Sequence, residues 1–225
     1  RFRTCVYGLR GTRGLYQASK SVELGEFRAY VESRDLPVEF SGAFGFGFIQ
    51  RVPRSDLEAF IAAERADGAP DFAVRTSGDR PELYVTKFIE PLEQNRATWG
   101  MDIATDPVRC EAADRSMLSG EPTLTGNVDL FQDEQHRPGY LYILPLYRNG
   151  TDPATPEERR RDLMGWVYMP LVVEETLAGV GDAASGLLEF EFYEGRETTK
   201  ASLLYDKDGV PRAVPAAPPG MGEDS

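Results

Sequence analysis

Two segments constrain this chain more than any other feature: 139–147 (GYLYILPLY) and 164–172 (MGWVYMPLV). Each is apolar at odd and even positions alike, so as a strand it would present a hydrophobic face on both sides. A strand of that kind needs a sheet covered on both sides. Between them, 149–162 is polar and Pro-containing and ends in the charge run Glu157-Glu158-Arg159-Arg160-Arg161, which reads as a solvated helical turn. The rest of the chain must therefore supply helices above and below a sheet.

Residues 1 to about 34 read as helical with a bend. Phe2, Val6, Leu9, Leu15 or Tyr16, and Val22 recur near helical spacing, interrupted by Gly8, Gly11 and Gly14. Ser21 can cap a fresh turn, after which Phe27, Tyr30 and Val31 continue an apolar face. With Arg1, Arg3, Arg10 and Arg13, this start fits a stalk, and equally a helix packed on its own domain. Residues 43–52 (AFGFGFIQRV) alternate as a strand with close backbone neighbours. Ser55 and Glu58 have capping-box spacing for a helix running to Ala66.

Strands are then expected at 71–77 and 82–90 about Ser77-Gly78-Asp79. Asp106-Pro107 opens a helix that stops at Gly120. A third β-rich stretch covers 122–132. Beyond the two apolar strands come a short helix at 174–180, a half-buried strand at 187–194 and a short strand at 202–205. From Pro211 the composition is that of a tail. This order favours an α+β fold with an antiparallel sheet of about five strands. A second, smaller unit would begin near Leu171.

The chain has 225 residues, 41% hydrophobic, with 12 Phe and 10 Tyr, which is enough for a core without staples. Its 37 acidic against 25 basic residues give a net charge of -12, which argues against nucleic acid or anionic lipid as partners. No run approaches the ~20 apolar residues of a membrane span. A start inside a helix, without an initiator Met, is expected of a soluble domain cut from a membrane protein. Cys5 and Cys110 form no framework and no metal spacing, and read as small buried or half-buried residues.

The catalytic inventory is poor. His136, the single histidine, sits in a polar loop and reads as solvated. Metal sites, triads and Cys/His pairs need several such groups converging, so no metal and no cofactor is expected. Asp102 and Asp106 are the better candidates for an acid/base pair, since Asp102 lies amid Trp99, Met101 and Ile103. Glu189 and Glu191 read as solvent-facing. Gly42, Gly45 and Gly47 fit a strand better than a phosphate loop, and Asn149-Gly150-Thr151 is a chance match to a glycosylation sequon. Tyr140, Tyr142, Tyr147, Trp166 and Tyr168 are either ordinary core or the lining of a small-molecule cavity with one convergent carboxylate.

Taken in order, several segments carry a resemblance: LRGTRGLYQASKSVELGEFRAYV, FGFGFIQRVP, VTKFIEPLEQNRATWGMD, SGEPTLTG, DLFQ, GYLYILPLY and TPEERRRDLMGWVY. From Leu9 to Tyr205 the chain resembles a CHASE domain, the extracellular sensory module of receptor histidine kinases, diguanylate cyclases and related receptors. The resemblance implies a stalk helix (1–36), a membrane-distal PAS-like unit that binds the ligand (37–170) and a membrane-proximal PAS-like unit, short or incomplete here (171–210), before a tail (211–225). It also implies a periplasmic or extracellular location, flanking transmembrane helices in the parent protein and a homodimer formed through the stalk helix.

In the plant cytokinin receptors of the family an aspartate orients the ligand, and Asp102 in WGMD matches it. A backbone contact falls at Leu124 and a polar contact near Asp133, with Tyr142, Trp166 and Tyr168 supplying stacking area. The bulk of Trp166, Tyr168 and Met169, where the plant proteins have small residues, argues against a cytokinin and for another small organic ligand. The alternatives are a ligandless dimerisation module and a small acid/base enzyme using Asp102 and Asp106.

Overall fold

The computed structural model describes residues 2–177, 191–193 and 203–206. Helices α1 (Phe2–Ala18), α2 (Leu24–Glu32) and α3 (Leu36–Glu39) lead into strand β1 (Phe46–Pro53), helix α4 (Leu57–Ala66) and strand β2 (Glu82–Glu90). After α5 (Leu92–Asn95) and α6 (Pro107–Ser119) come β3 (Thr123–Leu124), β4 (Gly139–Tyr147), α7 (Pro156–Asp162), β5 (Leu163–Val172) and α8 (Val173–Leu177). Strands β6 (Glu191–Tyr193) and β7 (Leu203–Asp206) form a separate antiparallel pair. The main sheet is antiparallel and five-stranded, in the order β2-β1-β5-β4-β3. The expected α+β class with about five strands is therefore what the chain forms.

The two doubly apolar strands, β4 and β5, pair with each other inside this sheet, from Gly139 opposite Val172 to Tyr147 opposite Leu163. Both faces are covered, as their composition requires. On one face Leu144, Leu146, Val167, Met169 and Leu171 pack under α1, with α2 beside it over β2; on the other Leu141, Ile143, Trp166, Tyr168 and Val172 pack under α6. Helix α1 buries Cys5, Gly8, Leu9, Thr12 and Tyr16, a stripe at helical spacing laid over β4 and β5. Gly8 admits the rings of Phe40 and Phe46, since a Cβ there would come within 2.6 and 2.8 Å of them. Asn149 of the sequon donates its amide to the carbonyls of Tyr16 and Ser19, both at 3.0 Å, and so finishes α1.

Four local expectations are corrected. Helix α2 is capped at Glu23 rather than Ser21, because Glu26 accepts from the Glu23 amide and Asp67 from the Leu24 amide. The Ser55–Glu58 capping box does not form; Ser55 donates to Asp56 at 2.9 Å, and a 3-10 turn over Arg54–Asp56 precedes α4. Residues 71–77 do not form a hairpin with β2. Residues 100–102 occupy that edge instead: Thr86 N–H donates to Met101 O and Gly100 N–H to Thr86 O, while Arg75 bridges Met101 from the far side. Within 122–132 only Thr123–Leu124 is a strand, followed by single bridging contacts at Thr125 and Val128.

Helix α6 starts and stops as its sequence directs, with Asp106 accepting from Val108 and Arg109 amides and Gly120 in the left-handed conformation. The charge run folds as α7, capped reciprocally by Thr155 and Glu158. The helix expected at 174–180 and the strands at 187–194 and 202–205 are described only in part, and the tail from Pro211 lies outside the described residues.

Candidate functional site

The aromatic residues divide between the faces. In an antiparallel pair, residues opposite each other point to the same side. Tyr142 lies opposite Met169 and Ile143 opposite Tyr168, so Tyr142 points towards α1 while Tyr168 and Trp166 point towards α6. Leu124, opposite Tyr142, also packs on the α1 side. The structure thus brings Trp166 and Tyr168 together and sets Tyr142 and Leu124 on the other side of the sheet. Trp166 is fully buried, donates Nε1–H to Ala113 O at 3.0 Å and stacks obliquely on Tyr84 at 4.5 Å. The neighbouring alanines, Ala112 and Ala113, are what let α6 approach its indole.

Asp102 is fully buried and its carboxylate is occupied. Oδ1 accepts from the amides of Tyr84 (2.9 Å) and Ala104 (3.1 Å), and Oδ2 from the Thr76 hydroxyl at 2.7 Å. The residue ties together β2, residues 75–76 and the 3-10 turn Ile103–Thr105 that leads to α6. Asp106 caps α6 and forms an ion pair with Arg109 at 2.7 Å. Neither carboxylate is presented as a free acid or base.

Beside Asp102 the α6 face holds an enclosed cavity of about 20 Å³ lined by Thr86, Thr98, Met101, Arg109, Gln132 and Tyr168, among others. That is room for one water. Its wall is mostly apolar, with Ile103, Leu130, Leu141 and Pro170 beside Met101, and a few polar groups reach it. Burial pushes the Tyr168 phenol up to about 12, against the opposing effect of the Thr86 and Thr98 hydroxyls, so it stays protonated and able to donate. Gln132 Oε1 is buried without a partner among the described residues. Arg109 is buried and donates to Asp106 and to Asp129 O. Gly47 opposite Tyr168 is required, because a Cβ there would stand 2.2 Å from the ring.

Outside this cavity lies an open groove of about 360 Å³, lined by Arg75, Thr76, Ser77, Ala97, Met101, Thr105 and Phe131. Met101 is a wall of both spaces, and Phe131 lies under the Arg109 guanidinium at 5.3 Å. Asp133 sits one residue from Gln132. Its buried carboxylate takes three bonds from Arg137, whose Nη1 also donates to Glu175 of α8. Burial alone would raise the Asp133 carboxyl, but the Arg137 bonds outweigh it and hold the group below its usual range. His136, beside this pair, is exposed, 3.4 Å from Asp129.

Arg75, Thr86, Met101, Arg109, Phe131 and Gln132 escaped the reading of the sequence. One signal for Arg109 was present: a basic residue three after the capping Asp106 sits on the same helix face. For the others, position depends on which segments pair, and no local pattern encodes it.

A family model described as the CHASE domain matches residues 20–205, most of the chain. No curated protein matches it. CHASE domains are sensory, non-catalytic domains found on the extracellular side of membrane signalling receptors. On the span matched, and on an α+β fold consistent with it, this chain belongs to the CHASE domain family.

Proposed function

We propose that this chain is the ligand-sensing part of a transmembrane receptor, located in the periplasm or outside the cell. In this reading it binds a small organic molecule and relays the event to a histidine kinase or diguanylate cyclase output. The observation that carries the reading is a mostly apolar interior cavity with a few polar groups, Tyr168, Gln132 and Arg109, in its wall, separated from an outer groove by one flexible side chain, Met101. Tyr168 would contact the ligand directly. Asp102 would act one step back, through Thr76, and Asp133 through its neighbour Gln132.

A relay also needs a route out. The segment that gives Leu130 and Gln132 to the cavity is fastened by Arg137 to Glu175 of α8, the helix that leads towards the C-terminal segment. A ligand that reseats this segment would bias α8 only to the extent that it binds the two arrangements differently. The parent would act as a homodimer, with the outer face of α1, carrying Arg3, Tyr7 and Arg10, at or near the dimer axis. No helix among the described residues is long and apolar enough to cross a membrane, so flanking spans belong to the proposal.

A ligandless interaction module draws on two observations: the interior space holds about one water, and both Asp102 carboxylate oxygens already accept from protein donors. Thermal-shift screening against a metabolite library separates the two readings. A compound that stabilises the wild type but not Met101→Trp, which fills the space, supports the sensor. Stabilisation by none supports the ligandless module, and equal stabilisation of both proteins places the ligand outside the cavity.

A further inference from the structure

Resting on the sensor reading, we propose that the groove recognises an organic carboxylate with an apolar body, and that Arg75 is the residue that selects the charge. The chain carries a net charge of -12, and its surface as a whole repels small anions. Against that background the groove is an exception. Arg75 donates Nη2 to the carbonyls of Ala97 and Trp99 and pairs with no carboxylate among the described residues. One end of the guanidinium is therefore held in place by main chain, while Nε and Nη1 make no bond within the described protein. A cation fixed by neutral acceptors keeps its full charge for a third party.

Two acids near the groove are committed elsewhere. Asp102 is buried under Thr76, whose hydroxyl it accepts, and Asp106 is committed to Arg109 and to the first amides of α6. The remaining walls are an aromatic ring, a methionine and an alanine, with Ser77 and Thr105 hydroxyls at the rim. Phe131 is half exposed, at 49%, so part of its ring is open to the groove. The volume of about 360 Å³ matches the low end of small-molecule sites. Arg75 would take the carboxylate, Phe131 and Met101 the apolar body. Displacing Met101 would let the far end of a longer ligand reach Tyr168 and Gln132.

The test is calorimetric titration of the whole chain at low salt with benzoate and phenylacetate, against benzamide and phenylacetamide, and with acetate as a carboxylate without a body. The expected result is binding of the aromatic acids at least tenfold tighter than of their amides, with acetate weaker than either acid. Arg75→Gln should abolish the preference for acids while the amides still bind as they do to the wild type, and Arg75→Lys should restore part of it. Phe131→Ala should weaken acids and amides alike. If amides bind as tightly as acids, or Arg75→Gln binds acids unchanged, the carboxylate assignment is overturned while the sensor reading stands. If no member of the set binds but a neutral metabolite stabilises the wild type and not Met101→Trp, the carboxylate assignment fails and the sensor reading survives. Failure of both screens overturns both.

Discussion

On the face covered by α1 and α2 the sheet is held by rings and aliphatic chains: Phe27 against Phe88 at 5.3 Å, Phe40 edge-on to Phe46 at 5.1 Å, Tyr16 against Phe48 at 4.5 Å. On the face covered by α6 the same strands meet buried polar groups, namely Asp102, Arg109, Ser116, Thr86 and Thr125, each tied into a network. The first face is held mainly by apolar area; the second adds satisfied hydrogen bonds to an apolar cluster of its own around Ile49, Met117, Ile143 and Trp166. A network tolerates a small cavity and a replaceable partner where a close-packed apolar layer does not. That difference is why the candidate site falls on the second face.

Substitutions can break this contrast. The largest effect is expected of Phe46→Ala on the apolar face, a fully buried ring whose loss costs about 3–5 kcal/mol. Chemical denaturation measures it, and Phe46→Leu should recover much of the loss. On the polar face, Asp102→Ala should cost about 3 kcal/mol because it strands the Tyr84 and Ala104 amides. Here chemistry rather than volume should govern rescue: Asp102→Asn keeps an acceptor for both amides and should cost only about 1 kcal/mol. Equal costs for the Asn and Ala variants would show that the network does not hold this face.

Arg137→Ala comes next, at about 2 kcal/mol, since it leaves the buried Asp133 carboxylate without its partner. Its pH dependence has a defined sign. The folded carboxyl titrates below its unfolded value of roughly 3.9, so the stabilisation is present above that pH and is lost as pH falls through the folded value. Wild type and variant should therefore converge in stability on acidification. The smallest effect, about 0.5–1 kcal/mol, belongs to Asn149→Ala, which frees the carbonyls of Tyr16 and Ser19 at the end of α1.

Much of the fold could be read from local pattern. The doubly apolar strands, the Asp106-Pro107 helix start and the Gly120 stop each carry their signal within a few residues. Partner choice could not be read that way. Residues 71–77 look like a strand, but 100–102 hold the edge they would need, through main-chain bonds that any sequence could make. The facing of Tyr142 shows the same limit in the site. Because β4 and β5 are apolar at odd and even positions alike, their sequence does not say which set of one strand shares a side with which set of the other; register fixes it, and a one-residue slip would reverse it. Asp102 stands out as a carboxylate among apolar neighbours, yet its function as a tie depends on Thr76 and Tyr84, 26 and 18 residues away.

The assignment of the ligand site to the polar face is tested most directly by NMR of methyl-labelled methionine. Met101 borders both cavity and groove, whereas Met169 is buried under α1 on the opposite face. With a binding carboxylate or metabolite at saturation, the predicted outcome is a large shift of the Met101 resonance and little or none at Met169. A shift at Met169 with Met101 unmoved would place the site on the wrong face and contradict the assignment.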